Sequence, residues 1–471
     1  MKQIEPSCHV LENGVRVVYL NVPNQVAHLG YFFAAGSRFE KKDEVGLAHF
    51  LEHCVFKGTT SRKALNILSC IDAVGGELNA YTAKEDLCLY ASFSKEHTAK
   101  AINLLSDISI HSTFPEKELE KEKEVILDEL NSYLDSPSDK IFDDFEAELF
   151  KNHPLGNNIL GTKESVEHFT KKHLVAFVSN YFTADNLVVS YVGNLAYPKL
   201  EKLLLASLQE MPLTGKREIP TDFNTYIPFK KRSKEANFQS HAVLGGLAPS
   251  YKSDDRMAMS LLINILGGPA LNSRLNLSVR EKYGLAYSVE ASYNTFADTG
   301  FWQIYVGSEA KNMNKAIDLI YKELQVFQTK ELSSLQLQRA KAQLKGHLAL
   351  GMDSNAGLMQ GLGKSLLAFN QIDTLAEIHH GIDKISSSQL LEISRKYFKK
   401  EVKYCSDSNG YWRHKRLENF LDEKHSKIQV LTHPGWWQKR SMPSFSRIKR
   451  CINGRALNVK NDYIIQMKKL K

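Results

Sequence analysis

A chain of 471 residues with 43% hydrophobic and 24% charged residues is too long for one small core, and two to four domains are expected of an ordinary globular composition. No apolar run is long enough to span a bilayer, and the start, MKQIEPSCHVLENG, has no apolar signal core, so a cytoplasmic protein is expected, with a processed periplasmic form as the alternative. The net charge of +8 sits at one end: from Glu401 onward 16 Lys and Arg face 6 Asp and Glu, so the basic character belongs to the tail and no specific nucleic-acid binding is expected of the body.

In chain order, GVRVVY (Gly14–Tyr19) and HLGYFFAA (His28–Ala35) read as strands, followed by a turn at Gly36-Ser37 and a polar loop at Lys41–Glu44. The next stretch, GLAHFLEHCVF, holds His49, Glu52 and His53 as His-x-x-Glu-His among large apolar residues, the pattern of a buried helix. On a helix His49 and His53 are four apart and leave one face together, close enough to share a zinc ion. Glu52, three residues after His49, lies on the same side, where a carboxylate takes the proton of a water on the metal. This order of residues is the inverted zincin motif. Two helical histidines also make ordinary hydrogen bonds, so a third ligand has to decide. Cys54 points about 100° away from His53 and is assigned to packing. The six cysteines show no paired spacing and suit a reducing compartment.

A helix from Lys63 to Val74 stops at Gly75-Gly76; ELNAYT (Glu77–Thr82) and LCLYASF (Leu87–Phe93) alternate as antiparallel strands, and His97–Ile108 reads as an amphipathic helix. The helix after Pro115, running to Pro137, supplies the missing ligand. Glu122, Ile126, Glu129 and Tyr133 fall on one stripe, flanked by Val125 and Leu130. Carboxylates on an apolar stripe need compensating charge. A salt bridge would serve one alone, but with two histidines upstream a shared Zn²⁺ is the better account. Glu129 is expected as the third ligand and Glu122 as the residue supporting the site.

These residues, together with GGELNAYTAKED (Gly75–Asp86), EKEVILDELNSYLDSP (Glu122–Pro137), HPLGNNILGT (His153–Thr162) and DNLVVSYVGN (Asp185–Asn194), resemble the pitrilysin (insulinase) family of zinc metallopeptidases, in its short bacterial and mitochondrial-processing-peptidase-like branch. The likeness covers about the first 400 residues. It implies an α+β fold of two similar domains, each an antiparallel-rich sheet packed with helices, related by duplication and facing across a substrate chamber. The resemblance also implies that His49, His53 and Glu129 bind one Zn²⁺ per chain, with Glu52 as general base and Glu122 as support. The strand containing Asn79 and Ala80 would be an edge that pairs with substrate backbone. Peptides or unfolded polypeptide segments are the implied substrate, and a homodimer or a heterodimer with a related chain is the implied assembly. The alternative is a non-catalytic peptide-binding or chaperone-like subunit on the same fold.

The domains expected are residues 1–213 with the zinc site, a polar linker at 214–230, a non-catalytic homologous domain at 231–400, and a basic, Trp-rich tail at 401–471. The second half repeats the plan loosely: Lys231–Pro249 is strand-like and Asp254–Leu266 is a helix without the His-x-x-Glu-His pattern. The family's second domain contributes an arginine and a tyrosine to substrate binding, and SVREKYGLAYSVEAS places Arg280 and Tyr287 at the matching spacing, with Tyr287 inside an apparent strand. A phenol or guanidinium near the zinc would stabilise an oxyanion. In the tail, SDSNGYWRH and VLTHPGWW resemble in part the C-terminal part of polysaccharide-deacetylase-like proteins, with His433 in that family's catalytic-histidine segment. No aspartate-rich first motif accompanies them, so an accessory element is expected rather than an intact deacetylase. KIQVLTH (Lys427–His433) is its one expected strand and Leu417–Leu421 a single helical turn. Trp436 and Trp437 are expected to cover apolar surface, and His433 to bind no metal.

Overall fold

The computed structural model describes residues 5–217, 220–233, 239–398, 403–408, 411–412 and 428–431. The chain divides into two units, Met1–Phe398 and Lys399–Lys471. Among the described residues no helix is long and apolar enough to cross a membrane.

The larger unit begins with strands β1 (Ser7–Val10), β2 (Arg16–Asn21), β3 (Val26–Phe33), β4 (Glu77–Thr82), β5 (Leu87–Ser94) and β6 (Leu187–Gly193) in one six-stranded sheet of order β1-β2-β6-β3-β5-β4. All neighbours are antiparallel except β2 and β6. Helices α1 (Leu47–Cys54), α2 (Ala64–Asp72), α3 (Thr98–Ile110), α4 (Glu116–Leu134), α5 (Pro137–Leu149), α6 (Lys163–His168), α7 (Lys171–Tyr181) and α8 (Tyr197–Ser207) come from the same half. Side chains alternate across a strand. Ala27, Leu29, Tyr31 and Phe33 of β3 therefore join Leu89, Ala91, Val189 and Tyr191 in a core that also takes Phe50 and Leu51 of α1 and Leu104 and Leu105 of α3.

In the second half, β7 (Ser240–Ala248), β8 (Ser288–Thr295) and β9 (Gly300–Ser308) form an antiparallel sheet of order β7-β9-β8. It is half the width of the first sheet, so the repeat is partial among the described residues. Its helices are α9 (Arg256–Gly267), α10 (Ala310–Thr329), α11 (Ser334–Gly351), α12 (Asn355–Phe369), α13 (Leu375–Lys384) and α14 (Ser387–Tyr397), with a π-helical segment at Asn276–Lys282. Leu262 and Leu266 of α9 pack with Ile304, Val306, Ile320, Leu324, Leu390 and Ile393.

Helix α12 crosses to the first half. Met359, Leu362 and Leu366 pack against Val18, Leu20, Phe32, Val188 and Val192, the side chains that alternation sends to the back of the first sheet. Two glycines let the helix approach: a Cβ at Gly30 would lie 2.5 Å from Met359 Sδ, and one at Gly363 would lie 2.2 Å from the Phe32 ring. The buried Ser190 hydroxyl donates to the Met359 carbonyl at 2.7 Å.

A buried ion network joins the halves in front. Arg38 donates to Glu85 at 2.5 Å, to both oxygens of Asp298 at 2.6 and 2.8 Å, and to the Thr221 carbonyl at 3.0 Å. Glu85 also accepts from the backbone of Ala297, in the β8–β9 turn. The segment expected as a polar linker is docked instead: Phe223, Tyr226 and Phe229 pack against Phe145, Phe150, Phe296 and Phe301. Its aromatic residues find apolar partners that its polar composition hides.

In the smaller unit, β10 (Lys403–Ser408) pairs antiparallel with β11 (Tyr411–Trp412) and parallel with β12 (Ile428–Leu431). The expected strand at 427–433 is present as β12, but it is not the only one there. His433, Trp436, Trp437 and the helical turn expected at 417–421 lie outside the described residues.

Candidate active site

Helix α1 starts at Gly46, whose φ of +96° is left-handed and whose missing Cβ leaves room for the Gly161 backbone, 2.6 Å from where that atom would sit. No side chain at the N-cap serves the first turn. Glu40 serves it from the preceding loop: its two carboxylate oxygens accept from Gly46 N–H at 2.9 Å and Ala48 N–H at 2.8 Å. Burial pushes the Glu40 acid up to about 8 against the pull of these donors and of Lys84.

His49 is buried, and burial together with the neighbouring His53 lowers its imidazole to about 4. It is therefore neutral at neutral pH, the form that binds metals. Among the described residues its Nδ1 has no hydrogen-bond partner, although it is buried. His53 is half-buried, with its ring centroid 4.8 Å from that of His49. His53 Nδ1 lies 3.2 Å from Glu122 Oε2, and Lys57 Nζ lies 2.7 Å from Glu122 Oε1. An ionised carboxylate only accepts, so Nδ1 carries the His53 proton and Nε2 presents a lone pair.

Those lone pairs converge on Glu129. Its Oε2 is 3.7 Å from His49 Nε2 and 3.5 Å from His53 Nε2, and the three ligand atoms lie within 4.8 Å of one another. Nitrogen and oxygen ligands on a tetrahedral zinc sit about 3.4 Å apart, so both distances to Glu129 suit that ion, and the two imidazoles have to draw together to share it. Among the described residues it is the one group of three such side chains placed to hold a metal. Glu52 projects beside it from the same helix. Burial raises its acid above the ordinary value, while hydrogen bonds from Thr82 and the nearby His53 lower it and Glu129 raises it further. Thr82 ends β4 and also donates to the Ala48 carbonyl at 3.3 Å, which ties the helix to the sheet edge.

The apolar stripe on α4 is shorter than expected. Leu119, Glu122 and Ile126 are buried, whereas Val125 and Tyr133 are exposed. The second part of the helix leaves the core, which keeps Glu129 accessible while Glu122 is enclosed. Asn79 and Ala80 lie on β4, an edge strand paired only with β5 among the described residues.

Among the described residues neither Arg280 nor Tyr287 makes a hydrogen bond or ion pair with this cluster. Arg280, in the π-helical segment, has Glu281 at 3.9 Å. Tyr287 precedes β8 rather than lying within it, although its N–H still donates to Gly307 at 3.1 Å. Its hydroxyl is 3.3 Å from that of Tyr305 and 3.5 Å from His241 Nδ1. Tyr305 in turn packs on Phe142 of α5, the helix that follows the one carrying Glu129. Sequence reasoning passes over Glu40, Lys57 and Thr82, each of which acts through a tertiary contact. The one local signal is Glu40, an acid shortly before a helix that lacks its own cap.

A family model described as Insulinase (Peptidase family M16) matches residues 16–163, and one described as Peptidase M16 inactive domain matches residues 168–344. The uncharacterized zinc protease YmxG of Bacillus subtilis is 33% identical over 394 residues, 83% of this chain and 95% of that protein. An uncharacterized zinc protease of Rickettsia felis is 34% identical over 398 residues, 82% of this chain and 94% of that protein. The crystal structure of a protease from Helicobacter pylori shares the fold with a TM-score of 0.76 at 22% identity, over 84% of this chain and 97% of that one.

Proposed function

Because the chain belongs to the insulinase family of peptidases, peptidase family M16, and its relatives are named zinc proteases, we propose that it is a zinc-dependent endopeptidase acting on peptides or unfolded polypeptide segments. The observation that carries this reading is the convergence of His49 Nε2, His53 Nε2 and a Glu129 carboxylate oxygen within 4.8 Å, with Glu52 on the same helix. In this reading those three residues hold the metal. Zinc held there would polarise the scissile carbonyl and acidify the attacking water. Glu52 takes the proton of that water and returns it to the leaving amine, a task suited to a carboxylate whose acid form is stabilised by burial. Glu122 holds the His53 tautomer. The edge of β4 at Asn79 and Ala80, unpaired on its outer side among the described residues, offers backbone groups to an extended substrate. Arg280 and Tyr287 act on bound substrate from the second half. Two chains, alike or related, assemble, as the family resemblance implies.

The decisive experiment is Glu52→Gln. The variant should keep about one zinc per chain, by elemental analysis, and lose cleavage of a quenched peptide library by at least a hundredfold, the scale of general acid–base catalysis. Undiminished cleavage, or loss of the metal along with activity, would refute the role given to Glu52.

A further inference from the structure

We propose that Lys57 is a positioning residue for the metal site, fixing the His53 imidazole through the carboxylate of Glu122. This rests on the reading that His49, His53 and Glu129 hold zinc. Glu122 is 8% exposed and lies on the buried stripe of α4 with Leu119 and Ile126. A carboxylate in that position needs a cation, and Lys57 supplies it at 2.7 Å. Lys57 stands in the turn that closes α1, where its N–H donates to the Cys54 carbonyl at 3.1 Å. The element that carries His53 therefore also carries the charge that holds its partner.

The grip has two points. Oε1 of Glu122 is taken by Lys57 and Oε2 by His53 Nδ1, so the carboxylate cannot rotate without losing one of them. Its plane sets the rotation of the imidazole, and this keeps His53 Nε2 directed at Glu129, 3.5 Å away. Among the described residues His49 has no equivalent support on its far nitrogen, because Nδ1 is buried there without a hydrogen-bond partner. The orientation of one of the two imidazoles thus depends on Glu122, and the orientation of Glu122 depends on Lys57. Without the ammonium, the carboxylate is free to turn, and His53 is no longer held for the metal.

The test measures zinc affinity of the full-length protein by competition with a chromogenic chelator, alongside the melting temperature of the metal-free form. Measured well below the melting temperature of the metal-free variant, Lys57→Met should weaken zinc binding by about 10–100-fold, the range for residues that support a ligand, while that melting temperature also falls because Glu122 loses its counter-charge. Lys57→Arg, which restores a cation, should recover most of the affinity. Lys57→Gln carries the same comparison if the methionine variant does not fold. Wild-type zinc affinity in the methionine or glutamine variant overturns the proposal and leaves the zinc site standing. The proposal is equally overturned if affinity falls only as the metal-free protein begins to melt and arginine does not restore it. A wild-type protein that fails to compete for zinc overturns this proposal together with the zinc reading on which it rests.

Discussion

His49 and Glu52 stand on one short helix, and burial drives both toward the neutral form. For the imidazole that is the ligating state, and for the carboxyl it strengthens the hold on a proton once taken up. The consequence for His49 is measurable in metal-free protein. Its folded value of about 4 lies below the ordinary 6.5, so the unfolded chain binds more protons between the two. The associated stability is present above about 6.5 and is lost as pH falls through about 4. The melting temperature of metal-free protein should therefore fall across this window more steeply than that of His49→Gln. Parallel profiles would place the acid sensitivity in other groups. At this scale the grouping of His49, Glu52 and His53 was legible because their spacing is a local property of one helix, whereas Glu129 was reached through an apolar stripe that the structure ends at Ile126. Lys57 and Thr82 were not legible, since nothing near them in sequence says what they meet in space.

At the scale of elements, α1 is held at both ends by groups outside its own sequence. Glu40 binds the first turn, and Lys57 ties the last turn to α4 through Glu122. Thr82 fixes its middle to the edge strand. Replacing Glu40 by alanine leaves two buried N–H groups unpaired, at roughly 1–3 kcal/mol each. Chemical denaturation should show Glu40→Ala destabilised on that scale, with a larger relative loss in turnover than in substrate binding, because the start of α1 aims His49 and Glu52 together. A variant as stable and as active as the wild type would show that Gly46 and Gly161 alone define the start of the helix. Most elements that were read recur with ends shifted by up to three residues, but the strand-like stretch Lys231–Pro249 holds a strand only at Ser240–Ala248, and β9 and helices α5–α8 and α10–α13 were not read. The short stripe on α4 was not legible: periodicity continues through Tyr133, but the surface that would cover it does not.

For the whole molecule, the surprise is the division of labour between the halves. The sequence NAGLMQGLGKSLLAF announces an apolar helix but not which sheet it covers, because hydrophobic periodicity carries no address. Here it seals the back of the first sheet, while Arg38, Glu85 and Asp298 lock the front. Co-expressed fragments 1–216 and 217–471 should copurify as a one-to-one complex, whereas 1–216 alone should aggregate with Val18, Phe32, Val188 and Val192 uncovered. A soluble, monomeric 1–216 fragment with a native-like spectrum would show that α12 is dispensable to the first half.

Helix α12 also bears on the order in which the protein is made. A ribosome finishes β6 at Gly193 and does not reach Asn355 until about 160 residues later. At a synthesis rate on the order of 5–20 residues per second, the first sheet spends roughly 8–30 seconds with one apolar face open to its surroundings. The residues that will perform the chemistry are thus translated early but gain their final support late. The nascent first half therefore passes through a period in which it needs a chaperone, or a slow collapse onto its own surface, to wait for a helix that has not yet been synthesised.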